Sequence, residues 1–509
     1  MNIAELIDAN AHRHPDKTAL CDREREFTFQ KVREKSEQAA ACFQALGVKK
    51  GDLVAIMGQN SFDFVFSFFG ALKAGAAVVP VNHKLTAAEV DYILENSKAC
   101  LFVFDGSLRA VAEGIQTEIQ KMSLDSKSEG FAFLGDAMSN APVFRPVQIK
   151  DGDMAEVLYT SGTTGRPKGC VHTHRSVIAA GMTGAKAIGL NDTDRMLIAM
   201  PIWHSSPLNN WFMGIFFAAG TAVLLREYHP LYFLQIIEKR GCTAYFGAPV
   251  SYLLPLQKIP HFSDFNLSSM KAWIYGGGPI APETVKKLVS AYKSDRFFQV
   301  YGMSETGPTG TVLFPEDHKE HAGSIGNQAL PGAEMKVMKD MQTPAARGET
   351  GEIWLKADSM MKEYLGNPQA TQDAFCEGWY RTGDMAKIDE HGYLFIVDRI
   401  KDMIVTGGEN VYSKEVEDRL MEHSGVAEAA VIGIPHAEWG ETVHAVVVPA
   451  KDADLRENEL ADFLSSRLAK FKIPRQFHFA EELPHTPSGK VMKYKLRQDA
   501  KNRKENGHV

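Results

Sequence analysis

The sequence predicts an α/β fold, with a large N-terminal domain of parallel-rich sheets covered by helices and a small, mobile α+β C-terminal domain joined to it by a hinge. Short apolar strands alternate with helical patterns through most of the 509 residues, which is typical of parallel sheets packed between helices. Glycine-rich stretches follow several predicted strands, and the alternation changes near residue 399. We therefore expect one domain over residues 1–398 and a second over residues 399–509.

The alternation is clear early in the N-terminal domain. Strands are predicted over 52–57, 76–80 and 100–104, and helices over 62–73 and 90–96. The run 62–81 is about as long as a membrane span, but it contains Asp63, Lys73 and Pro80. A core helix followed by a buried strand is therefore predicted, and no integral membrane segment is expected.

The same pattern returns downstream and then gives way to a different one. Strands are predicted over 195–200 and 222–225, on either side of an apolar helix around 211–219. After Asp398 and Arg399 the order becomes helix, strand, strand and helix, over 413–423, 429–434, 442–450 and 457–468. These elements fit a small α+β domain of ordinary size.

Composition and charge exclude some classes of function. The 56 Lys and Arg residues stand against 63 Asp and Glu residues, and the net charge of −7 argues against a nucleic-acid partner. The six cysteines lie far apart without a C-x-x-C pair, and the N-terminus has no basic-then-apolar signal pattern. We expect a soluble, cytoplasmic protein with free thiols.

The most informative segment is 159–169, Tyr-Thr-Ser-Gly-Thr-Thr-Gly-Arg-Pro-Lys-Gly. Its glycines free the backbone to curl, and its hydroxyls, amides and one lysine can surround the phosphates of a nucleotide. It is not a Walker A loop, because Lys168 is followed by Gly169 rather than by Ser or Thr. An ordinary flexible loop is the alternative, but a linker rarely has so biased a composition. The predicted phosphate-binding residues are Thr160, Ser161, Gly162, Thr163, Thr164, Gly165 and Lys168.

This segment and six further motifs, in the same order along the chain, resemble the adenylate-forming superfamily of acyl-CoA synthetases, firefly-type luciferases and peptide-synthetase adenylation domains. The further motifs are Gly-Gly-Gly-Pro-Ile at 276–280, Tyr-Gly-Met-Ser-Glu-Thr at 301–306, Tyr-Arg-Thr-Gly-Asp at 380–384, Asp-Arg-Ile-Lys-Asp-Met-Ile at 398–404, Gly-Gly-Glu-Asn-Val-Tyr at 407–412 and Pro-Ser-Gly-Lys at 487–490. The resemblance extends from the N-terminal helix to Lys490.

The resemblance implies that the protein uses ATP to adenylate a carboxylic acid and releases pyrophosphate. Mg²⁺ and cationic side chains would offset the repulsion between the negative reactants. Glu305 and Thr164 are the implied Mg²⁺ ligands, although Glu305 could also be an acid that stabilises the first turn of a helix. The other implied nucleotide contacts are Gly276, Gly277, Gly278, Tyr301, Gly302, Ser304, Asp384 and Arg399.

Three of the implied site residues have competing interpretations. Asp384 would accept hydrogen bonds from the ribose hydroxyls, which suits an ionised carboxylate, but residues 382–384 could simply form a turn. Arg399 would reach the ribose or the phosphates, and a surface ion pair is its alternative. His204 resembles the aromatic or histidine gate beside the acyl carboxylate, and a histidine satisfied within the core is its alternative.

The second half-reaction needs a nucleophile that displaces AMP. The sequence has no G-x-S-x-G serine elbow, so the nucleophile is expected to come from a substrate, which in the acyl-CoA synthetase branch is the thiol of coenzyme A. The resemblance implies that Lys490 acts during adenylation, between carboxylate and α-phosphate oxygens. The small domain would then turn about a hinge at Lys401 and replace Lys490 with Gly407 and Gly408, whose missing side chains let pantetheine pass.

The expected function is therefore an AMP-forming acyl-CoA synthetase that takes a carboxylic acid, ATP and coenzyme A. A medium- to long-chain fatty acid is favoured and an aryl acid such as a hydroxycinnamate comes second. An amino acid is disfavoured because residues 203–214 contain no aspartate to bind an α-ammonium group. Three functions compete with this one: loading of a separate carrier protein, a luciferase-type oxygenation, and nucleotide binding without turnover. The identity of the acid is left open, and so is the oligomeric state, including a homodimer.

Overall fold

The computed structural model describes all residues except 161–166, 279, 281, 401, 407–408, 437–439, 466, 486–489 and 506–509. Within the described part the chain forms two compact units. Unit 1 comprises residues 1–160, 167–335 and 355–380, and unit 2 comprises residues 336–354 and 381–505. The α/β fold with a large N-terminal and a smaller C-terminal part is confirmed. The predicted boundary at 398/399 lies inside unit 2, and it stays a prediction about a hinge.

The helices occupy the segments between strands, as the alternation predicts. They are α1 Ile3–Arg13, α2 Phe29–Ala45, α3 Phe62–Lys73, α4 Ala87–Ser97, α5 Arg109–Gly114, α6 Leu134–Ser139, α7 His174–Ile188, α8 Met213–Phe217, α9 Pro230–Arg240, α10 Pro249–Lys258, α11 Pro282–Ala291, α12 His318–His321, α13 Pro368–Ala374, α14 Ser413–Met421, α15 Glu457–Ser465 and α16 Lys493–Glu505. A π-helix covers Ser206–Phe212, and short 3₁₀ helices cover Gly106–Leu108, Phe262–Asp264, Ser304–Thr306, Pro315–Asp317 and Lys470–Lys472.

The strands are β1 Thr18–Cys21, β2 Glu26–Thr28, β3 Leu53–Met57, β4 Ala77–Val81, β5 Leu101–Phe104, β6 Gln120–Ser123, β7 Ala132–Phe133, β8 Met154–Thr160, β9 Lys168–Thr173, β10 Arg195–Ile198, β11 Thr221–Leu224, β12 Ala244–Gly247, β13 Ala272–Gly276, β14 Phe297–Tyr301, β15 Thr311–Leu313, β16 Gln328–Ala329, β17 Ala333–Met338, β18 Thr350–Ala357, β19 Glu363–Tyr364, β20 Phe375–Cys376, β21 Trp379–Ile388, β22 Leu394–Arg399, β23 Ile404–Thr406, β24 Glu409–Val411, β25 Val426–His436, β26 Gly440–Pro449 and β27 Gln476–Phe479.

Unit 1 contains two large sheets with parallel centres. The first has the order β16-β15-β14-β13-β12-β10-β11-β1-β2, and the second has the order β19-β9-β8-β4-β3-β5-β6-β7. In unit 2, β23–β27 form a five-stranded sheet against which α14 and α15 pack, and β21 pairs antiparallel with β22. Of the residues predicted to bind the nucleotide, those that the structure describes lie on strands or within three positions after a strand.

The apolar run 62–81 folds as predicted, as a helix followed by a strand. The hydroxyl of Ser61 caps α3 by accepting a hydrogen bond from the backbone of Phe64 at 3.1 Å. The helix is buried on nearly all sides, and Lys73 at its end is paired with Asp8 at 2.5 Å. No helix in the described part of the chain is both long and apolar enough to cross a membrane.

The segment predicted as an apolar helix around 211–219 differs from the expectation. Helical structure begins earlier, at Ser206, with π-type hydrogen bonding, and α8 continues it to Phe217. Apolar periodicity does not predict this start, because the segment contains the polar residues Ser206, Asn209 and Asn210. Gly184 of α7 packs against this turn so closely that a Cβ there would lie 2.2 Å from the Asn210 carbonyl oxygen.

Candidate active site

Strands β8 and β9 hold the two ends of the predicted phosphate segment beside each other. They pair antiparallel, with Thr160 opposite Lys168, and the Thr160 hydroxyl lies 3.5 Å from the Lys168 carbonyl oxygen. The Lys168 ammonium lies 5.0 Å from the centre of the Tyr364 ring, a cation–π distance. Ser161, Gly162, Thr163, Thr164 and Gly165 lie outside the described residues, so their role stays a prediction.

Glu305 lies in a 3₁₀ turn directly after β14, and neighbouring segments hold that turn at each backbone carbonyl. The carbonyl of Ser304 accepts from His172 Nε2 at 2.8 Å, which places the ring proton on that nitrogen. The carbonyl of Glu305 accepts from the backbone of Met361 at 2.9 Å. The carbonyl of Thr306 accepts from the Ser359 hydroxyl at 2.7 Å. The backbone beneath the Glu305 carboxylate is therefore firmly positioned.

The carboxylate itself receives a hydrogen bond from a buried tyrosine. Tyr364 Oη donates to Glu305 Oε1 at 2.9 Å. Burial and the nearby charge of Glu305 raise the pKa of Tyr364, so the phenol remains a donor near neutral pH. Burial lowers the pKa of His172 to about 4, so this ring is neutral where it supports the turn. Both groups therefore orient Glu305 without adding charge.

The residues around Glu305 fit Mg²⁺ in one particular way. The described residues contain no cluster of three or more His, Cys, Asp or Glu side chains that could hold a metal ion. Mg²⁺ commonly takes one or two protein carboxylates and completes its shell with water and substrate phosphates. A single, partly exposed carboxylate such as that of Glu305 fits an ion of this kind. Thr164, the other predicted ligand, is outside the described residues.

The predicted adenine-binding glycines and the Tyr301 segment meet at the ends of two adjacent strands. Gly276 closes β13 opposite Val300 of β14, and a Cβ on Gly276 would lie 2.4 Å from the Val300 carbonyl oxygen. Gly277 has a φ of +77°, which favours glycine. Ligands in open α/β sheets bind beyond the carboxyl ends of the strands, which is where Gly276, Gly277, Gly278, Tyr301, Gly302 and Ser304 lie.

His204 lies shortly after β10 and is partly exposed. Its ring stacks on Trp203 with centroids 4.7 Å apart, and the Trp203 indole donates to His83 Nδ1 at 2.9 Å. The next residue, Ser205, accepts a hydrogen bond from the Ser304 hydroxyl at 3.0 Å. The predicted gate therefore immediately precedes a residue that contacts the Glu305 turn, and its role stays a prediction.

Unit 2 carries the predicted ribose-binding pair. Asp384 and Arg399 lie opposite each other on β21 and β22, with Arg399 Nε 2.8 Å from Asp384 Oδ1. Asp384 is buried, and its backbone N–H donates to the Thr382 hydroxyl at 3.0 Å. The ion pair considered for Arg399 thus exists, and its partner is the other predicted ribose contact. Arg399 orients the Asp384 carboxylate in this arrangement.

The remaining predicted residues belong to the C-terminal part of the chain. Lys490 is exposed, and the residue after it bridges to His485. Lys401, Gly407 and Gly408 lie outside the described residues, so the hinge and the pantetheine passage stay predictions. Close to the predicted hinge, Asp398 accepts a hydrogen bond from the Ser413 hydroxyl at 2.7 Å and so anchors the start of α14.

The residues that support Glu305 are not predicted by the sequence motifs. Tyr364 and His172 contact this turn from 59 and 132 positions away along the chain. Neither residue lies in a recognisable motif, and no local pattern in the sequence marks them. Only the position of β19 and β9 at one edge of the same sheet reveals their part in the site.

Known proteins match this chain over nearly its full length. The model of the AMP-binding enzyme family matches residues 7–365, and that of the AMP-binding enzyme C-terminal domain matches residues 415–490. A long-chain-fatty-acid–CoA ligase (FadD13) of Mycobacterium tuberculosis is 36% identical, with 93% of each chain covered. A feruloyl-CoA synthase of an Amycolatopsis species is 32% identical, covering 96% of this chain and 97% of that one.

A solved structure agrees with the fold. The o-succinylbenzoate CoA synthetase (MenE) from Bacillus subtilis, in complex with the acyl-adenylate intermediate OSB-AMP, has a TM-score of 0.87, 29% sequence identity and 97% coverage of both chains. The N-terminal family model precedes the C-terminal one along the chain, and the relatives and this structure cover nearly all of it. The chain therefore belongs to the AMP-binding enzyme family, the ATP-using adenylate-forming enzymes to which these CoA ligases also belong.

Proposed function

We propose that this enzyme is an acyl-CoA synthetase that joins a carboxylic acid to coenzyme A in two steps. In the first step a carboxylate oxygen attacks the α-phosphorus of ATP, which gives an acyl adenylate and pyrophosphate. In the second step the coenzyme A thiol attacks the acyl carbon, and AMP leaves. The observation that carries this proposal is the fixed Glu305 turn at the end of β14, beside strands β8 and β9 that flank the phosphate segment.

In the first step the residues of this chain bring the substrate carboxylate and the phosphates of ATP together, although both are negatively charged. The phosphates are bound by Thr160, Lys168 and the residues between them, and Glu305 would hold Mg²⁺. That ion, when bound, would supply positive charge that offsets the charge of the leaving pyrophosphate. Asp384, oriented by Arg399, accepts hydrogen bonds from the ribose hydroxyls. Lys490 contacts the acid and the α-phosphate as they react.

In the second step the C-terminal part of the chain takes another orientation about Lys401. Lys490 is withdrawn, and Gly407 and Gly408 line the path of the pantetheine arm. The thiol comes from the substrate, so no nucleophilic side chain is required of the protein. His204 is proposed as the gate beside the acyl carboxylate.

We propose a medium- to long-chain fatty acid as the substrate, since the fatty-acid–CoA ligase is the more similar of the two relatives named above. An aryl acid is the second candidate, because the feruloyl-CoA synthase covers the chain equally well. All six cysteines are unpaired, which supports a reducing, cytoplasmic location. A homodimer stays a prediction.

The test is pyrophosphate release with ATP across a panel of acids, each assayed with and without coenzyme A. The panel runs from acetate to palmitate and includes benzoate, a hydroxycinnamate and several amino acids. We expect strong release that depends on coenzyme A with one class of acid, and the best acid identifies the substrate. Release that coenzyme A does not stimulate contradicts the proposed acceptor and indicates a carrier protein or another acceptor.

A further inference from the structure

Glu156 is an acid that the proposed chemistry does not use, although it lies four residues before Thr160 on β8. Its side chain is fully buried in the core of unit 1. An ionised carboxylate in such surroundings costs much free energy unless it is paired with a cation or hydrogen-bonded on both oxygens. The contacts of Glu156 therefore indicate which protonation state the fold stabilises.

One oxygen of Glu156 is bonded and the other is not. Asn209 Nδ2 donates to Glu156 Oε1 at 2.5 Å. The second atom of each group, Glu156 Oε2 and Asn209 Oδ1, is buried and has no hydrogen-bond partner within the described part of the chain. With an ionised carboxylate both atoms are acceptors, so they cannot satisfy each other. Two adjacent groups would then each leave one buried oxygen unpaired.

A single proton resolves both unpaired oxygens. If Oε2 carries a hydrogen, it becomes a donor that Asn209 Oδ1 can accept, while Nδ2 continues to donate to Oε1. The result is a cyclic acid–amide pair with every polar atom used. We propose that Glu156 keeps its proton in the working enzyme and, through this pair with Asn209, is a positioning residue for the π-helix that follows His204.

Among the described residues, burial and the hydrogen bond from Asn209 are the influences on the pKa of Glu156, and no cation is one of them. On β9 it lies opposite His172, whose pKa burial lowers to about 4, and near Cys170, whose thiol pKa burial raises. On β4 it lies opposite Val78, and α7 begins with His174, whose pKa burial also lowers to about 4. Burial raises the pKa of Glu156 itself to about 7, in agreement with the geometry.

The pair connects two parts of the candidate site. Strand β8 leads into the phosphate segment, and the π-helix follows His204 and Ser205, of which Ser205 accepts a hydrogen bond from Ser304. π-type turns are rare and often occur at functional sites. Loss of the proton would place two acceptors against each other and loosen the π-helix from β8. Loss of this proton should then weaken binding of the carboxylic-acid substrate, an expectation that rests on the proposed function.

The first experiment measures stability and needs no substrate. Glu156→Gln is the test variant, because its amide can donate to Asn209 Oδ1 at any pH. Glu118→Gln, at an exposed acid, is the control. A folded-state pKa above the ordinary value means that the stabilising proton is fully bound at low pH and is lost as the pH rises toward and beyond 7.

As the pH rises from 5 to 8, the wild type should therefore lose stability relative to Glu156→Gln. The difference between their urea midpoints measures this loss. The midpoint of Glu118→Gln should change with pH as that of the wild type does. The infrared spectrum at pH 6 should also contain a protonated carboxylic-acid carbonyl band that Glu156→Gln removes and Glu118→Gln retains. A midpoint difference that does not change with pH, together with no such band, overturns the proposal.

The second experiment separates a positioning role from a merely structural one. With the best acid of the panel, the KM for the acid should rise several-fold above pH 7.5 in the wild type but stay level in Glu156→Gln, with kcat little changed. Asn209→Leu should raise this KM at every pH. An equal rise of this KM in the wild type and in Glu156→Gln contradicts the positioning role. If no acid is activated at all, the proposed function fails, and the stability experiment still decides whether Glu156 holds its proton.

Discussion

Glu305 shows at the scale of single residues how the site is held. Its backbone turn is fixed through three carbonyls, and its carboxylate receives the phenol of Tyr364. A carboxylate that must hold a metal ion against phosphates benefits from having its orientation fixed before the ligand arrives. Tyr364 should therefore affect nucleotide binding although it lies in none of the motifs.

Replacing Tyr364 with Phe removes the one hydroxyl while keeping the buried ring. A hydrogen bond to a charged group contributes about 1.5 kcal/mol or more, so we expect roughly tenfold weaker binding of Mg·ATP. An ATP titration at saturating Mg²⁺ measures this. Tyr232→Phe, at an exposed ring, should leave the affinity unchanged. Equal affinity in Tyr364→Phe and the wild type would mean that the hydroxyl does not position Glu305.

At the scale of elements, α7 packs very closely against the π-helix that follows His204. A Cβ on Gly184 would lie 2.2 Å from the backbone oxygen of Asn210, so one of the two helices would have to move. Added volume in a tight contact usually costs about 1–3 kcal/mol. Because Asn210 follows Asn209, a shift here should also disturb the contact with Glu156.

We therefore expect Gly184→Ala to lower the urea midpoint and to raise the KM for the acid. The gain in helix propensity from alanine, about 1 kcal/mol, acts against this loss but does not remove the backbone clash. Gly152→Ala is the matched control, because no atom lies within 4 Å of a Cβ at that position. A Gly184→Ala protein as stable as the wild type would show that the two helices separate at no cost.

The same elements show which features the sequence can predict. Helix α3 was predicted with its observed bounds because a predominantly apolar run defines it locally. The π-helix was not, because its start is polar and its contacts with Gly184 and Glu156 are made by residues distant in the chain. Likewise the phosphate segment was predicted from its local composition, and the Gly276 and Tyr301 motifs from their resemblance to a known family. Tyr364, His172 and Asn209 could not be found, because only the folded sheet brings them to the site.

At the scale of the whole molecule, the residues assigned to adenylation belong to both units. Glu305, Lys168 and Tyr301 lie in unit 1, and Asp384 and Lys490 lie in unit 2. The two half-reactions should therefore separate when residues assigned to one step are changed. Lys490 is assigned to the first step and Gly408 to the second.

Lys490→Ala should abolish pyrophosphate release from acid and ATP, while thioester formation from preformed acyl adenylate continues. Gly408→Leu should have the opposite effect, because its side chain would block the pantetheine path. Lys501→Ala, at another exposed lysine, is the control for charge. Near-normal adenylation by Lys490→Ala, or unchanged coenzyme A turnover by Gly408→Leu, would contradict the respective assignment.

In the proposed reaction an acyl adenylate forms on this enzyme and its acyl group is then transferred to coenzyme A. The most direct measurement is a single-turnover reaction of the enzyme with ATP labelled in the adenine and the best acid, quenched before and after coenzyme A is added. We expect enzyme-bound acyl-AMP with one equivalent of pyrophosphate before the addition, and its conversion to acyl-CoA and AMP afterwards. Formation of ADP and phosphate, or an acyl-AMP that coenzyme A does not consume, would contradict this two-step reaction.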